Sequence, residues 1–254
     1  MISRRYRGKL AYDGTRYEGF QRQAAGKLTI QGELERAIEK VSVQDVTIMG
    51  AGRTDAGVHA TGQVIAFDCA WRHGSDKLLG AINANLPPDI ALKSLRALSE
   101  AEADFHPRYN AISRRYVYHF YAAAVREPLW DRTRWHVGPA IDLNAMQAAA
   151  DVLPGIHDFA TFGQPTQGTV TIRNLHAASV EAESDGAYRF IIEANAFLKR
   201  MVRSITGSLV EVGRGFWTVE EFAEAFRAAD RSRAAATAPP HGLVLAAVRY
   251  EEGE

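Results

Sequence analysis

Two hydrophobic periods take turns along this chain, and that alternation constrains its fold more than any other feature. Helices repeat apolar residues every three or four positions, strands every second one. From Leu28 to Val41 the period is helical, with Ile30, Leu34, Ile38 and Val41 on one face and Thr29 as N-cap. Val46 to Met49 reads as a short strand and Gly62 to Cys69 as another, rich in β-formers. Asn85-Leu86-Pro87-Pro88-Asp89 is a loop, because two prolines cannot continue a helix. Tyr116 to Tyr121 reads as an aromatic strand, and Asp142 to Leu153 as a helix capped by Asp142 and ended by Pro154 and Gly155. Tyr188 to Glu193 reads as a strand leading into a long helix from about Phe197 to Val212. Thr218 and Glu221 form a capping box for a helix whose buried face is Phe222 and Phe226. The class expected is mixed α/β. A length of 254 residues allows one large domain or two smaller ones sharing a cleft. Periodicity lapses from Ala97 to Ala111, so the expected division is 1–105 and 106–254.

Composition narrows the functional classes. Hydrophobic residues make up 46% and charged residues 24%, values that fit a soluble protein with a real core. Basic and acidic residues both total 30, so affinity for a polyanion has to come from local patches. Candidates are Arg4, Arg5, Arg7 and Lys9, then Arg22, Arg114 with Arg115, and Lys199 with Arg200. The single cysteine, Cys69, excludes an internal disulfide, removes most zinc arrangements and fits a reducing compartment. Met1-Ile2-Ser3-Arg4-Arg5 leads into no long apolar stretch, and no run of about 18 apolar residues occurs anywhere. No signal peptide or membrane span is expected, and the expected location is cytoplasmic.

The segment Gly50-Ala51-Gly52-Arg53-Thr54-Asp55-Ala56-Gly57-Val58-His59 carries the most chemical information. Three glycines directly after an apolar strand let the backbone turn sharply and let a ligand approach. Arg53 and Asp55 sit inside that turn. A solvated surface ion pair is the commoner outcome for such residues.

The segment also resembles the signature loop of the tRNA pseudouridine synthase A family, enzymes of the tRNA anticodon arm. Further motifs similar to that family follow in order over nearly the whole chain. They are Tyr12-Asp13-Gly14-Thr15 with Tyr17, Gly19 and Gln21-Arg22-Gln23; Asn83 to Pro87 with Asp89-Ile90; and Phe105-His106. Next come Arg114-Arg115-Tyr116-Val117-Tyr118, His157-Asp158-Phe159, Asn195 to Leu198, Met201-Val202-Arg203 and Ala238 to Leu245. Two departures are visible. Phe20 stands where the family usually has tryptophan, and Leu198-Lys199-Arg200 replaces a more histidine-rich pattern.

The resemblance implies two similar-sized halves, each built on a largely antiparallel sheet flanked by helices, with the active cleft between them. It implies isomerisation of uridine to pseudouridine at tRNA positions 38, 39 and 40, without cofactor, by a homodimer. That reaction breaks the bond from ribose C1′ to uracil N1 and rejoins the base through C5. An ionised carboxylate must act near the sugar, either attacking C1′ or removing the C2′ proton, and the resemblance assigns this to Asp55. Burial alone raises a carboxylate's pKa, and a nearby cation can offset that penalty. On a helix from Leu198 to Val212, the residues Leu198, Met201, Val202, Ile205, Leu209 and Val212 make one apolar stripe. At about 100° per residue Arg203 lies roughly 140° from its centre, with Lys199 a turn earlier on the same side. A basic face is expected there, and the resemblance implies an ion pair between Arg203 and Asp55. Tyr116, Tyr118 and Phe120 share one strand face, and the resemblance singles out Tyr116 as the ring that stacks on the flipped base. Arg53 is implied to hold the nucleotide out of the stem. His59 is expected to be a structural hydrogen-bonder. Two other readings fit the residues alone. One is a hydrolase using Asp13 or Asp158 as second carboxylate, the other a non-catalytic RNA-binding protein.

Overall fold

Thr29 does what its position promises: its hydroxyl accepts the Gly32 N–H at 3.3 Å and starts α1 (Ile30–Ser42). The structure, a computed structural model, describes residues 3–23, 26–166, 168–184 and 186–251. It divides into two compact units, Met1–Ile112 with Leu245–Glu254, and Ser113–Val244. Both are α/β, with mainly antiparallel strands flanked by helices.

In the first unit β1 (Ser3–Tyr12) lies antiparallel between β3 (His59–Ala70) and β4 (Ile90–Ala97). The two-residue β2 (Met49–Gly50) pairs with β3, and α1 packs against α2 (Ser75–Asn85). Alternation puts Tyr6, Gly8, Leu10 and Tyr12 on the buried side of β1. Tyr6 stacks on its cross-strand partner Phe67 with ring centroids 5.5 Å apart. The opposite parity carries Arg5, Arg7 and Lys9. Arg5 forms an ion pair with Asp68 at 2.8 Å, and Arg7 lies over the rings of Phe105 and Tyr250.

In the second unit β9 (Ala187–Ala194) lies antiparallel between β5 (Ser113–Tyr121) and β8 (Ile172–Ala182). β7 (Gly155–Asp158) extends β8, and the short β6 (Trp135–His136) runs parallel to β5. α3 (Leu143–Ala150), α4 (Met201–Gly213) and α5 (Val219–Arg227) pack together. Asp142 caps α3, and Thr218 and Glu221 cap α5 reciprocally. Phe222 and Phe226 join Phe159 and Phe162 in a ring cluster with centroids 5.1–5.7 Å apart. The chain ends with β10 (Leu243–Arg249), which lies beside β3 and returns most of its length to the first unit.

Three local expectations are corrected. The segment from Val46 to Met49 is not a strand. Only Met49 and Gly50 pair with β3, because the Ile48 N–H donates to the buried Glu35 carboxylate at 3.0 Å instead of to a ladder. The helix expected from Phe197 begins only at Met201. Arg200 holds a left-handed conformation, φ 64°, and Lys199 bridges Gln164 through its N–H. Lys199 therefore lies outside α4, and the helical spacing expected to set it one turn before Arg203 does not hold. Ser204 and Ser208 of α4 bond to the segment 231–237.

Candidate active site

The loop from Ala51 to Val58 joins β2 to β3 and carries Asp55 half-buried between buried Thr54 and exposed Ala56. Its path is fixed residue by residue. Ala51 donates to Val64 O at 2.8 Å, Gln63 Nε2 donates to Gly52 O at 2.8 Å, and the Tyr12 hydroxyl meets the Thr54 hydroxyl at 2.8 Å. The turn from Asp13 to Phe20 supports the loop's other edge. Phe20 N–H donates to Thr54 O, Gly57 N–H to Tyr17 O, and Gly14 N–H to His59 Nδ1 at 3.1 Å. Gly14 is required by contact, since a Cβ there would lie 2.0 Å from Val58 O. Gly19 is required by both contact and conformation, with φ 100° and Thr54 O 2.8 Å from its virtual Cβ. His59 is thus the structural hydrogen-bonder expected of it. Phe20, in place of tryptophan, is buried against Tyr12 at 6.3 Å between ring centroids.

The turn is itself anchored by Asp89, from the Pro87-Pro88 loop. Asp89 takes the Tyr17 hydroxyl at 2.6 Å and pairs with Arg16 at 2.6 Å, and its carbonyl accepts the Asp13 N–H. Burial, then the Asp89 carboxylate, pushes the Tyr17 phenol well above its ordinary pKa. Arg53 is exposed. Arg22 is also exposed but is drawn to the buried Glu35 at 3.0 Å.

The second unit gathers its expected residues in two places. Near the start of β5, buried Arg114 donates to Asn195 O at 2.8 Å and Tyr116 meets Phe197 edge-on at 5.1 Å, so 195–197 lies over that strand. Arg115, on the other strand face, pairs with Glu193 at 2.8 Å. Around Ala238 and Pro239, half-buried Arg203 donates Nε to Ala238 O at 2.7 Å and Tyr118 donates its hydroxyl to Pro239 O at 2.8 Å. Burial pushes the Tyr118 phenol far up, with the Arg203 charge pulling the other way. Lys199 is exposed.

The family model described as tRNA pseudouridine synthase matches residues 10–110 and 149–251. The chain belongs to the tRNA pseudouridine synthase family. Proteins named tRNA pseudouridine synthase A are similar to it end to end. The one from Thermosipho melanesiensis is 39% identical over 97% of this chain and 100% of its own length. That from Myxococcus xanthus is 42% identical over 96% and 91%, and that from Chloroflexus aurantiacus 43% over 96% and 88%. Pseudouridine synthases are isomerases, converting uridine to pseudouridine in tRNA. In this synthase the matched stretches contain Asp55, Arg53, Arg22, Lys199 and Arg203, while Arg114, Arg115 and Tyr116 lie between them. No helix among the described residues is long and apolar enough to cross a membrane. The supports that sequence reading missed are Tyr12, Gln63 and Asp89. Their partners stand 42, 11 and 72 residues away in sequence, so no helical or strand period announces the bonds.

Proposed function

We propose that this synthase isomerises uridine at positions 38, 39 and 40 of the tRNA anticodon stem-loop, with Asp55 as the carboxylate at the reacting sugar and no cofactor. The observation that supports this most directly is the bracing of the loop around Asp55, which fixes an acidic side chain without burying it fully. Catalysis by a positioned charged group needs that rigidity. Arg203 is assigned as the counter-charge and Tyr116 as the stacking ring for the flipped uracil. Arg53 takes the place vacated by the nucleotide or grips its phosphate. Arg22, Arg115 and Lys199 are assigned to the backbone, and Arg114, which is buried, to holding the strand that presents Tyr116. A homodimer acting in the cytoplasm completes the reading.

The test starts from unmodified tRNA transcript incubated with wild-type protein or Asp55→Ala, then probed with a pseudouridine-specific adduct read along the strand. Adducts in the anticodon arm from the wild type alone are expected. Released free uracil would instead make the protein a hydrolase. Light scattering tests the dimer.

A further inference from the structure

Gln63 stands on β3 in a row with Ile65 and Phe67, all three 0% exposed. Its amide is only half satisfied. Nε2 donates to the Gly52 carbonyl at 2.8 Å, while Oε1 has no hydrogen-bond partner among the described residues. Chemistry fixes that orientation, because turning the amide over would set Oε1 against the Gly52 oxygen, acceptor against acceptor. A buried acceptor without a donor opposes folding, and an apolar side chain of the same length would avoid the penalty. The residue therefore works against stability at this position, which directs attention to the bond it does make.

That bond holds a peptide that lies between two other fixed points. Ala51 is tied by its main chain to Val64, and Thr54 by its hydroxyl to Tyr12. The Gly52 peptide between them is tied by Gln63. Glycine has the freedom to rotate that peptide, and a rotation there would redirect the chain just ahead of Asp55. We infer that Gln63 is a positioning residue for Asp55. It holds the Gly52 carbonyl so that the carboxylate meets the sugar in register, and it adds nothing to the stability of the fold. The inference rests on the reading that Asp55 is the reacting carboxylate.

Gln63→Met removes the donor and the orphaned acceptor together and keeps the chain length. In the full-length protein acting on tRNA transcript, kcat should fall about 10- to 100-fold, the scale of small misplacements of a reacting group. KM for tRNA should stay at the wild-type value, and the urea midpoint should equal or exceed that of the wild type. A merely structural residue would not separate these readouts. Wild-type kcat would overturn the inference. So would a lower midpoint accompanying the loss of rate, or failure of both Gln63→Met and Gln63→Leu to fold. Asp55→Ala in the same series separates the two levels. If it turns over normally, the reading of Asp55 is wrong. If it is inactive beside a fully active Gln63→Met, only the role of Gln63 is wrong.

Discussion

The hydroxyl oxygens of Tyr12 and Thr54 lie 2.8 Å apart inside the first unit, one residue before Asp55. Both residues are buried, so deleting the Tyr12 hydroxyl takes a partner from the Thr54 hydroxyl, away from water. Tyr12→Phe should cost about 1–3 kcal/mol of stability, the penalty of a buried polar group short of a partner, and Thr54→Val about 0.5–1.5 kcal/mol for the lost hydrogen bond. The double variant should cost less than the sum, since neither hydroxyl then remains. Urea unfolding of all four proteins gives the coupling directly, and strict additivity would mean that the two groups do not depend on each other.

Gly14 and Gly80 make a contrasting pair. A methyl group on Gly14 would run into the Val58 backbone at 2.0 Å, which cannot yield as a flexible side chain would. Gly14→Ala should lose about 1–3 kcal/mol, as overpacking does, and should lose activity because the Asp55 loop must shift. Gly80 lies within α2 with nothing inside 4 Å of its virtual Cβ. Gly80→Ala should gain about 0.5–1 kcal/mol from the restricted unfolded chain and leave activity alone. Equal midpoints for the two variants would contradict the contact argument.

Much of this fold was legible because its signals are local. Thr29, Asp142 and the Thr218–Glu221 pair cap their helices by bonds three residues long, and Tyr116, Tyr118 and Phe120 alternate cleanly. β4 was not legible, and its register explains why. A shift places Lys9 opposite Ser94 but Leu10 opposite Leu92, leaving Lys93 bulged and breaking the alternation of Ile90, Leu92 and Leu95. The start of α4 was misjudged because the stripe through Leu198 continues across Arg200, where the backbone turns left-handed. The loop around Asp55 could be recognised from its glycines and the family pattern. The bonds that support it could not, since Tyr12 stands in a motif that does not name Thr54 as its partner and Gln63 looks like an ordinary strand residue until Gly52 is brought to it.

His119 should make the protein acid-sensitive. Burial pushes its pKa below the usual histidine value, against the pull of Glu183, and Arg134 and Arg189 push the same way as burial. Glu183 Oε2 is already held by Arg134 at 2.9 Å and stands 3.7 Å from His119 Nδ1, which has no hydrogen-bond partner among the described residues. The folded chain thus favours the neutral ring. Its contribution to stability is complete above the unfolded pKa of about 6.5 and is lost as pH falls through that value towards the lower folded one. Urea midpoints of the wild type should fall more steeply across this window than those of His119→Gln. Parallel slopes would exclude the histidine as the cause.

Lys199 and Arg114 should separate phosphate binding from scaffolding, although both are cations near the same connection. Lys199 is exposed, and its main chain is already fixed to Gln164, so its side chain is presented without being needed for the fold. Each phosphate neutralised releases condensed counterions, so losing one contact lowers the salt dependence of log K by about 0.7–0.9. Lys199→Ala should therefore weaken tRNA binding most at low salt, flatten the slope by about that amount, and leave the urea midpoint unchanged. Arg114 is buried, and its guanidinium holds the Asn195 carbonyl at 2.8 Å, which keeps 195–197 over β5 and Phe197 against Tyr116. Removing it deletes a hydrogen bond from a buried charged group, so Arg114→Ala should cost about 1.5–3 kcal/mol of stability. It should lower kcat through Tyr116 and leave the salt slope of binding unaltered. Filter binding of tRNA across a salt series, run beside urea unfolding, distinguishes the two residues. A flattened slope in Arg114→Ala with normal stability would move that arginine from the scaffold to the RNA.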